Sequence, residues 1–116
     1  MHHLAFRTHK LFELRAFYVQ LFAFEAIRQT ATSVWLSVGQ TILMLEQATV
    51  DEPEIPFESQ EFVAFQCAAE DLPAWQAHLQ AHHIAVEHQT AHTLYFRDPD
   101  GRRVGVSAYP VPAESC

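Results

Sequence analysis

The chain has 116 residues, of which 49% are hydrophobic and 12% aromatic, so it is long and apolar enough to fold as one ordinary domain around a core. This composition excludes disorder as the main state. Seven Lys and Arg residues against fourteen Asp and Glu residues give a net charge of −7, which argues against binding nucleic acid through its phosphates.

Cysteine usage and hydropathy bear on where the protein acts. Two cysteines, Cys67 and Cys116, are too few for a disulfide framework and favour a reducing cytoplasm. No apolar run approaches the roughly 20 residues that span a bilayer. The first residues do not resemble a secretory leader. We therefore expect a cytoplasmic protein with neither a membrane nor a nucleic-acid partner.

Hydrophobic periodicity predicts a strand, a helix and three further strands in the first half of the chain. Alternation indicates a strand over 3–8, and apolar residues at helical spacing from Leu11 to Leu21 indicate a helix. Three short strands follow, over 24–30, 33–38 and 41–47.

The same order returns after an acidic, proline-broken linker over 48–60. A strand is predicted over 62–67. Asp71 is suited to cap a helix whose apolar stripe includes Trp75 and Leu79, with Pro73 in its first turn. Three more strands are predicted at the end of the chain, over 84–89, 93–97 and 103–108.

The two halves match as an internal repeat. Ala5-Phe6 corresponds to Ala64-Phe65, Val34-Trp35-Leu36 to Leu94-Tyr95-Phe96, and Ile42-Leu43-Met44 to Val104-Gly105-Val106. We therefore predict an α+β fold in which two βαβββ modules form half-barrel mixed sheets around a concave cavity. Within a single domain over 1–116, module one covers 2–47, the linker 48–60 and module two 61–109.

Three segments carry a resemblance to a known family. Phe17 to Phe24, Thr41 to Glu46, and above all Leu94-Tyr95-Phe96-Arg97-Asp98-Pro99-Asp100-Gly101 resemble the vicinal-oxygen-chelate superfamily. That group contains glyoxalase I, the bleomycin-resistance proteins and the extradiol dioxygenases. The resemblance spans about residues 2–108 and implies the fold without specifying a reaction, since one fold hosts many chemistries.

The resemblance also implies a divalent metal held by His and Glu side chains, two from each module. The corresponding positions here are occupied by His3, Leu43, Phe62 and Gly105. Only the histidine can donate to a hard or borderline cation, so we expect the inherited site to be absent and no cofactor to be required. A displaced site using His3 and Glu46 remains an alternative. His78 and His82 have chelating spacing on a helix, but no third donor accompanies them.

Two positions depart from the family where it favours glycine at the ends of its helices. Ala23 and His83 stand there in this chain. A retained left-handed cap would cost about 1 kcal/mol at each position. We expect modified caps within the same fold.

Strand alternation predicts a binding face turned away from the helices. It contains aromatic, aliphatic and a few polar residues, which is the usual make-up of a small-molecule site. The candidate ligand-binding residues are His3, Arg7, Trp35, Phe62, Gln66, Tyr95 and Arg97. The same parity adds Leu43, Leu45, Ser37, Arg103, Gly105 and Ser107. The alternative is that the modules bury this face against each other or against a second chain.

Three functions remain open at this stage. The first is a metal-free protein that binds a small, partly aromatic molecule, with an anionic group paired to Arg7 or Arg97. Because the predicted face has no acidic residue, we expect at least one of these arginines to be free for an anion. The second is a glyoxalase-type lyase, isomerase or dioxygenase using His3 or a displaced metal, and the third is a partner-binding module. A homodimer is expected from the exposed strand edges, with apolar contacts from Phe12, Phe22 and Phe57.

Overall fold

The structure is a computed structural model that describes residues 1–111. Cys116 lies outside the described residues. The described residues form two compact units, one made of Met1–Ser59 with Asp98–Gly101 and the other of Gln60–Arg97 with the chain from Arg102 to residue 111.

Unit one contains one helix and a four-stranded mixed sheet. Its strands are β1 (His3–Thr8), β2 (Glu25–Gln29), β3 (Ser33–Val38) and β4 (Thr41–Gln47), and α1 (Leu11–Phe22) follows β1. The sheet order is β1-β4-β3-β2, with β1 parallel to β4 and the other pairs antiparallel. Its core consists of buried apolar side chains from the helix and one face of the sheet: Phe6, Leu14, Tyr18, Leu21, Val34, Leu36, Leu43 and Leu45.

Unit two repeats this arrangement. Its strands are β5 (Phe62–Gln66), β6 (His88–Gln89), β7 (Thr93–Arg97) and β8 (Arg103–Ser107), and α2 (Leu72–Ala81) follows a 3₁₀ turn at Ala69–Asp71. The sheet order is β5-β8-β7-β6, with β5 parallel to β8. Its buried apolar residues are Leu79, Leu94, Phe96, Val104 and Val106. The predicted α+β class and the two βαβββ modules with mixed sheets are confirmed.

The sixth strand is much shorter than the predicted span of 84–89. After α2, the amide of Ile84 bonds the carbonyl of Leu79, and this contact keeps the chain at the helix end. Pairing with β7 begins only where the amide of Glu87 bonds the carbonyl of Tyr95. Hydrophobic periodicity does not predict this late start of β6, because it reports which side chains are apolar and not how the backbone leaves the helix. The other strands differ from prediction by at most one residue at each end.

Asp71 occupies the predicted cap position of α2, but its side chain makes no capping hydrogen bond. Its backbone is helical, with φ −92° and ψ −6°, because the 3₁₀ turn leads directly into α2. A capping side chain needs an extended backbone at that residue. The predicted capping role of Asp71 is therefore wrong.

Both helices keep a left-handed residue at their exit without using glycine. Ala23 has φ 58° and ψ 30°, and His83 has φ 59°. The expectation of modified caps is therefore wrong: residues that carry a Cβ atom adopt the geometry typical of glycine, which is sterically unfavourable.

The register of β1 and β4 corrects one part of the predicted binding face. His3 pairs with Ile42, Ala5 with Met44 and Arg7 with Glu46, and paired residues share a face of the sheet.

Leu43 and Leu45 therefore do not face the same side as His3. They pair with Leu4 and Phe6 and are buried in the core. Because apolar residues occupy both faces of β4, alternation alone could not choose between the two registers.

The corrected register also shifts the repeat by one residue on β4. Met44 pairs with Ala5 and Trp35, just as Gly105 pairs with Ala64 and Tyr95. Met44, and not Leu43, is thus the counterpart of Gly105.

Candidate functional site

The face of sheet one that points away from the core carries His3, Arg7 and Trp35, as alternation predicted for these three residues. His3 is exposed, and its Nδ1 lies 2.9 Å from Nδ1 of His2. The guanidinium of Arg28, from β2, lies over the ring of Trp35 at 5.1 Å from the ring centroid.

Arg7 is held by two carboxylates. Its Nε donates to Glu52 at 3.1 Å, its Nη2 forms a second bond to the same carboxylate, and Nη1 donates to Glu46 at 3.4 Å. The hydrogen bond from Arg7 is the main cause that lowers the pKa of Glu52 to about 2. The bond to Glu52 likewise raises the pKa of Arg7 above its ordinary value. The expectation of an acid-free face is therefore wrong, since Glu46 shares the face of Arg7 and Glu52 reaches it from the linker.

Glu52 also fastens the acidic linker to the end of β1. Its carboxylate accepts from the amide of Thr49 at 3.0 Å, and its backbone oxygen lies 2.8 Å from Nε2 of His9. A cavity of about 50 Å³ lies here between β1 and the linker, with Lys10 and Ile55 among its lining residues. That volume suits one or two water molecules and not a metabolite.

The corresponding face of sheet two carries a compact aromatic cluster. The rings of Phe62 and Tyr95 lie with centroids 4.4 Å apart. The guanidinium carbon of Arg103 lies over both rings, 4.4 Å from the Tyr95 centroid and 5.7 Å from that of Phe62. We refer to Phe62, Tyr95 and Arg103 as the aromatic–arginine cluster.

Arg97 is held beside this cluster by a shared carboxylate. Its Nε donates to Glu87 at 2.6 Å and its Nη2 at 3.0 Å, while Nε of Arg103 donates to the same carboxylate at 3.3 Å. The hydrogen bond from Arg97, with a smaller contribution from Arg103, lowers the pKa of Glu87. Since Arg7 and Arg97 both meet carboxylates, the expectation that one of them is free for an anion is wrong.

Sequence reasoning placed Arg103 on this face but did not select it as a ligand-binding candidate, and it missed Glu87 altogether. The signal that could have found Arg103 was its predicted place on the same face as Tyr95, on the neighbouring strand. Gln66, the remaining candidate, is exposed at the end of β5, opposite Ser107.

The residues at the inherited metal positions do not fit a divalent cation. Module one offers the imidazole of His3, whereas Leu43 is buried in the core and its neighbour Met44, on the His3 face, offers only a soft thioether. Module two offers Phe62 and Gly105, which have no donor side chain. A Cβ added to Gly105 would collide with the carbonyl oxygen of Leu94, so the strand spacing itself excludes a ligand side chain at this position.

Residues 1–111 contain no group of three or more His, Cys, Asp or Glu side chains arranged to hold a metal ion. Burial raises the pKa of the Cys67 thiol, which disfavours the reactive thiolate. None of the helices described is both long and apolar enough to cross a bilayer.

Two βαβββ modules, each with a mixed sheet and one covering helix, define a glyoxalase-like protein. The chain belongs to the Glyoxalase/Bleomycin resistance protein/Dioxygenase superfamily, whose family model matches residues 1–106. Comparison with the curated proteins gave no match.

Solved structures share the fold at low sequence identity. Lactoylglutathione lyase from Agrobacterium tumefaciens is 23% identical with a TM-score of 0.76, and the match covers 92% of this chain and 91% of the lyase. The fosfomycin resistance protein FosX from Mesorhizobium loti is 13% identical with a TM-score of 0.78, over 96% and 92% of the two chains.

FosX from Listeria monocytogenes gives a similar match. A mutant complexed with Mn(II) and 1S,2S-dihydroxypropylphosphonic acid is 15% identical with a TM-score of 0.79, over 96% of this chain and 90% of that one. At these identities the likeness establishes the fold alone.

Proposed function

We propose that this protein binds a small, partly aromatic, anionic molecule without the metal ion that its family's enzymes use. The observation that carries the proposal is the replacement of the metal positions in module two. Phe62 stands at one of them, and its ring lies against Gly105 at the other, with Cε1 3.1 Å from where a Cβ would be. An aromatic surface thus occupies the place of a ligand pair, and such surfaces favour flat organic molecules.

The charge of the ligand is argued from the arginines on the same face. Two guanidinium groups, those of Arg97 and Arg103, donate to the carboxylate of Glu87. Among residues 1–111, Nη1 and Nη2 of Arg103 have no hydrogen-bond acceptor, so this side chain favours a negatively charged molecule. A cationic donor on this face also speaks against a drug-resistance role of the bleomycin type, in which a cationic drug meets an acidic surface.

The alternative is a glyoxalase-type lyase, isomerase or dioxygenase that uses His3 as a base or as part of a displaced metal site. Glu46 was the other donor considered for that site. It pairs with Arg7, four residues along the strand from Ile42, the partner of His3. A rise of about 3.3 Å per residue separates these positions by about 13 Å, too far to share one ion.

The proposal is tested by metal and ligand binding on the same preparation. We expect Mn²⁺, Ni²⁺, Zn²⁺ and Fe²⁺ to leave the melting temperature unchanged, and a screen of aromatic acids to raise it. Binding stabilises the folded state by about 2.7 kcal/mol at a ligand concentration of 100 times Kd. A His82→Gln variant removes one member of the histidine pair formed by His78 on α2 and His82 just after it, and serves as the control for adventitious chelation. One equivalent of metal that is bound by this variant and lost in His3→Gln would overturn the proposal.

We also propose that the protein acts as a homodimer in the cytoplasm. Two large apolar side chains support the first part, since Phe12 is 80% exposed and Phe57 is 91% exposed. Phe22 is instead used within unit one, where it stacks on Tyr18 and Phe24 at centroid distances of 5.8 and 5.0 Å. The free thiol of Cys67 is consistent with a reducing compartment.

A further inference from the structure

We propose that Arg103 is the residue that recognises the charge of the ligand, and that this charge is a carboxylate attached to an aromatic ring. The inference rests on the proposed function, that the open face of sheet two binds a small molecule. It assigns the selectivity to one side chain that sequence reasoning had not chosen.

The hydrogen-bond donors of Arg103 are only partly used. Its Nε donates to Glu87 at 3.3 Å, and within residues 1–111 no acceptor hydrogen-bonds its Nη1 or Nη2. The side chain is only 19% exposed. A side chain withdrawn this far from water binds an anionic acceptor strongly, because little further water has to be removed from it when the anion binds.

Glu87 fixes which edge of the Arg103 guanidinium remains open. Its two oxygens accept from Nε and Nη2 of Arg97, and one of them also holds Nε of Arg103. Arg103 is therefore anchored by one corner, which leaves the Nη1–Nη2 edge as the part available to a ligand. That edge presents two parallel N–H donors and matches the two oxygens of a planar carboxylate. Glu87 is a positioning residue here, since it acts through Arg103.

Aromatic side chains beside Arg103 favour an aromatic ring in the rest of the ligand. The guanidinium carbon lies over Tyr95, and the ring of Phe62 adjoins that of Tyr95. Gly105 contributes no side chain beneath them. A carboxylate bound to the open edge of Arg103 thus lies beside the half-buried rings of Phe62 and Tyr95, and an aromatic ring attached to it can contact the parts of these rings that the guanidinium leaves uncovered. A phosphate or phosphonate carries a third oxygen that the two donors of this edge do not bind, so a planar carboxylate matches the edge more completely.

The chain offers a matched control. Arg28 also lies over an aromatic ring, that of Trp35, at 5.1 Å. Trp35 pairs with Met44 as Tyr95 pairs with Gly105, so the two aromatic residues are equivalent in the repeat. Arg28 lacks the counterpart of a Glu87 anchor among the described residues, and a general effect of stacked arginines would appear in both variants.

The test compares 1-naphthoate with the uncharged 1-naphthamide by isothermal titration calorimetry, on the full chain and on Arg103→Gln, Arg103→Lys and Arg28→Gln. We expect the wild type to bind the acid at least tenfold more tightly than the amide. Arg103→Gln should abolish this difference, because it weakens binding of the acid at least tenfold more than binding of the amide. Arg103→Lys keeps the charge but not the fork and should retain only part of the difference, and Arg28→Gln should behave as wild type.

Glu87→Gln tests the positioning role. Loss of the anchor should reduce the ratio of acid affinity to amide affinity, whereas general damage to the fold would weaken both ligands alike. Circular dichroism melting shows whether each variant is folded. If Arg103→Gln does not fold, Arg103→Lys is used instead, and its ratio of acid affinity to amide affinity should be lower than that of the wild type.

The outcomes separate this inference from the proposed function. Equal binding of acid and amide, an unchanged preference in Arg103→Gln, or tighter binding of phenylphosphonate than of 1-naphthoate would each overturn the role of Arg103 as a carboxylate reader. In all three cases aromatic binding without metal would stand. Failure of 1-naphthoate to bind at millimolar concentration would overturn the inference, and stoichiometric metal at His3 would overturn the proposed function instead.

Discussion

Gly105 on β8 and Leu94 on β7 approach so closely that a Cβ atom on the glycine would collide with the carbonyl oxygen of Leu94. The neighbouring carbonyl carbon and Cε1 of Phe62 would each lie only 3.1 Å away. We therefore expect Gly105→Ala to lower the free energy of unfolding by about 3 kcal/mol, because backbone must move to admit even one methyl group. Urea unfolding measures this change.

The control for this substitution is Ala64→Ser, at the exposed position that pairs with Gly105 across the sheet. We expect it to change stability by less than about 0.5 kcal/mol. If Gly105→Ala were equally mild, the spacing of β7 and β8 would be adaptable, and Gly105→Glu could then supply a metal ligand. We expect instead that neither Gly105→Ala nor Gly105→Glu gains affinity for Mn²⁺ or Zn²⁺.

The hydroxyl of Tyr18 donates a hydrogen bond of 2.8 Å to Oδ2 of Asp98, and both residues are buried. Tyr18→Phe removes the donor and leaves the carboxylate in place. We expect a loss of about 2 kcal/mol in the free energy of unfolding, since hydrogen bonds to charged groups are the stronger ones. Tyr109→Phe, at an exposed tyrosine, should stay close to wild type in the same urea titration.

Glu52 makes part of the stability of unit one dependent on pH. Its carboxyl has a pKa lowered from 4.5 to about 2, with the hydrogen bond from Arg7 as the main cause. A lowered pKa stabilises the folded state fully above the unfolded value, and this contribution disappears as the pH falls through the folded value. The difference in melting temperature between wild type and Glu52→Gln should therefore be constant above about pH 5 and shrink between pH 4.5 and 2.

Asp51→Asn provides the comparison for this pH dependence. Asp51 is an exposed neighbour in the same linker, and no ion pair or hydrogen bond of its side chain occurs among residues 1–111. Its melting temperature should follow that of wild type across the whole range. A Glu52→Gln difference that persists unchanged at pH 2 would show that the linker is held by something other than the ion pair with Arg7.

Left-handed residues at the helix exits offer a route to higher stability. Ala23 and His83 both adopt φ near 58°, where a Cβ atom costs about 1 kcal/mol. We expect Ala23→Gly to raise the free energy of unfolding by about 0.5 kcal/mol, after the greater freedom of glycine in the unfolded chain is subtracted. Ala77→Gly, within α2, should lower it by about 1 kcal/mol. If both substitutions were destabilising, the strain at Ala23 would be negligible.

The proposed dimer predicts a change in size on loss of exposed apolar side chains. Light scattering at micromolar concentration should give twice the mass of one chain for the wild type. Phe57→Ser and Phe12→Ser should shift the equilibrium towards the monomer, whereas Val50→Ser, also at an exposed apolar residue, should not. A wild-type protein of single-chain mass would contradict the dimer.

The sequence was sufficient to predict the order of elements, because the alternation of apolar residues and the repeat report directly on which face meets the core. It failed on β4, because Leu43, Met44 and Leu45 are all apolar, so alternation does not show which of them face the core. The hydrogen-bonded register, and with it the face of Glu46, could be obtained only from the fold.

The ion pairs were beyond sequence reasoning for a different reason. Arg7 meets Glu52 across 45 positions of the chain, and Glu87 reaches two arginines from outside the regular strands. Carboxylates in linkers and loops have no periodic position, so no pattern predicts their partners. This is also why Arg103, with its donors only partly engaged, could not be distinguished from Arg97.

The Asp98–Gly101 turn lies between β7 and β8 of unit two, yet it belongs to unit one, where Asp98 receives the Tyr18 hydroxyl and Pro99 accepts from Nζ of Lys10. A chain severed within the linker would therefore leave residues 1–59 with a buried tyrosine hydroxyl lacking that acceptor. The two fragments should regain a native melting transition only when mixed, and Tyr18→Phe should make the first fragment less dependent on the second. If the repeat arose by duplication, the two copies are no longer interchangeable here, because four residues from the second copy complete the packing of the first.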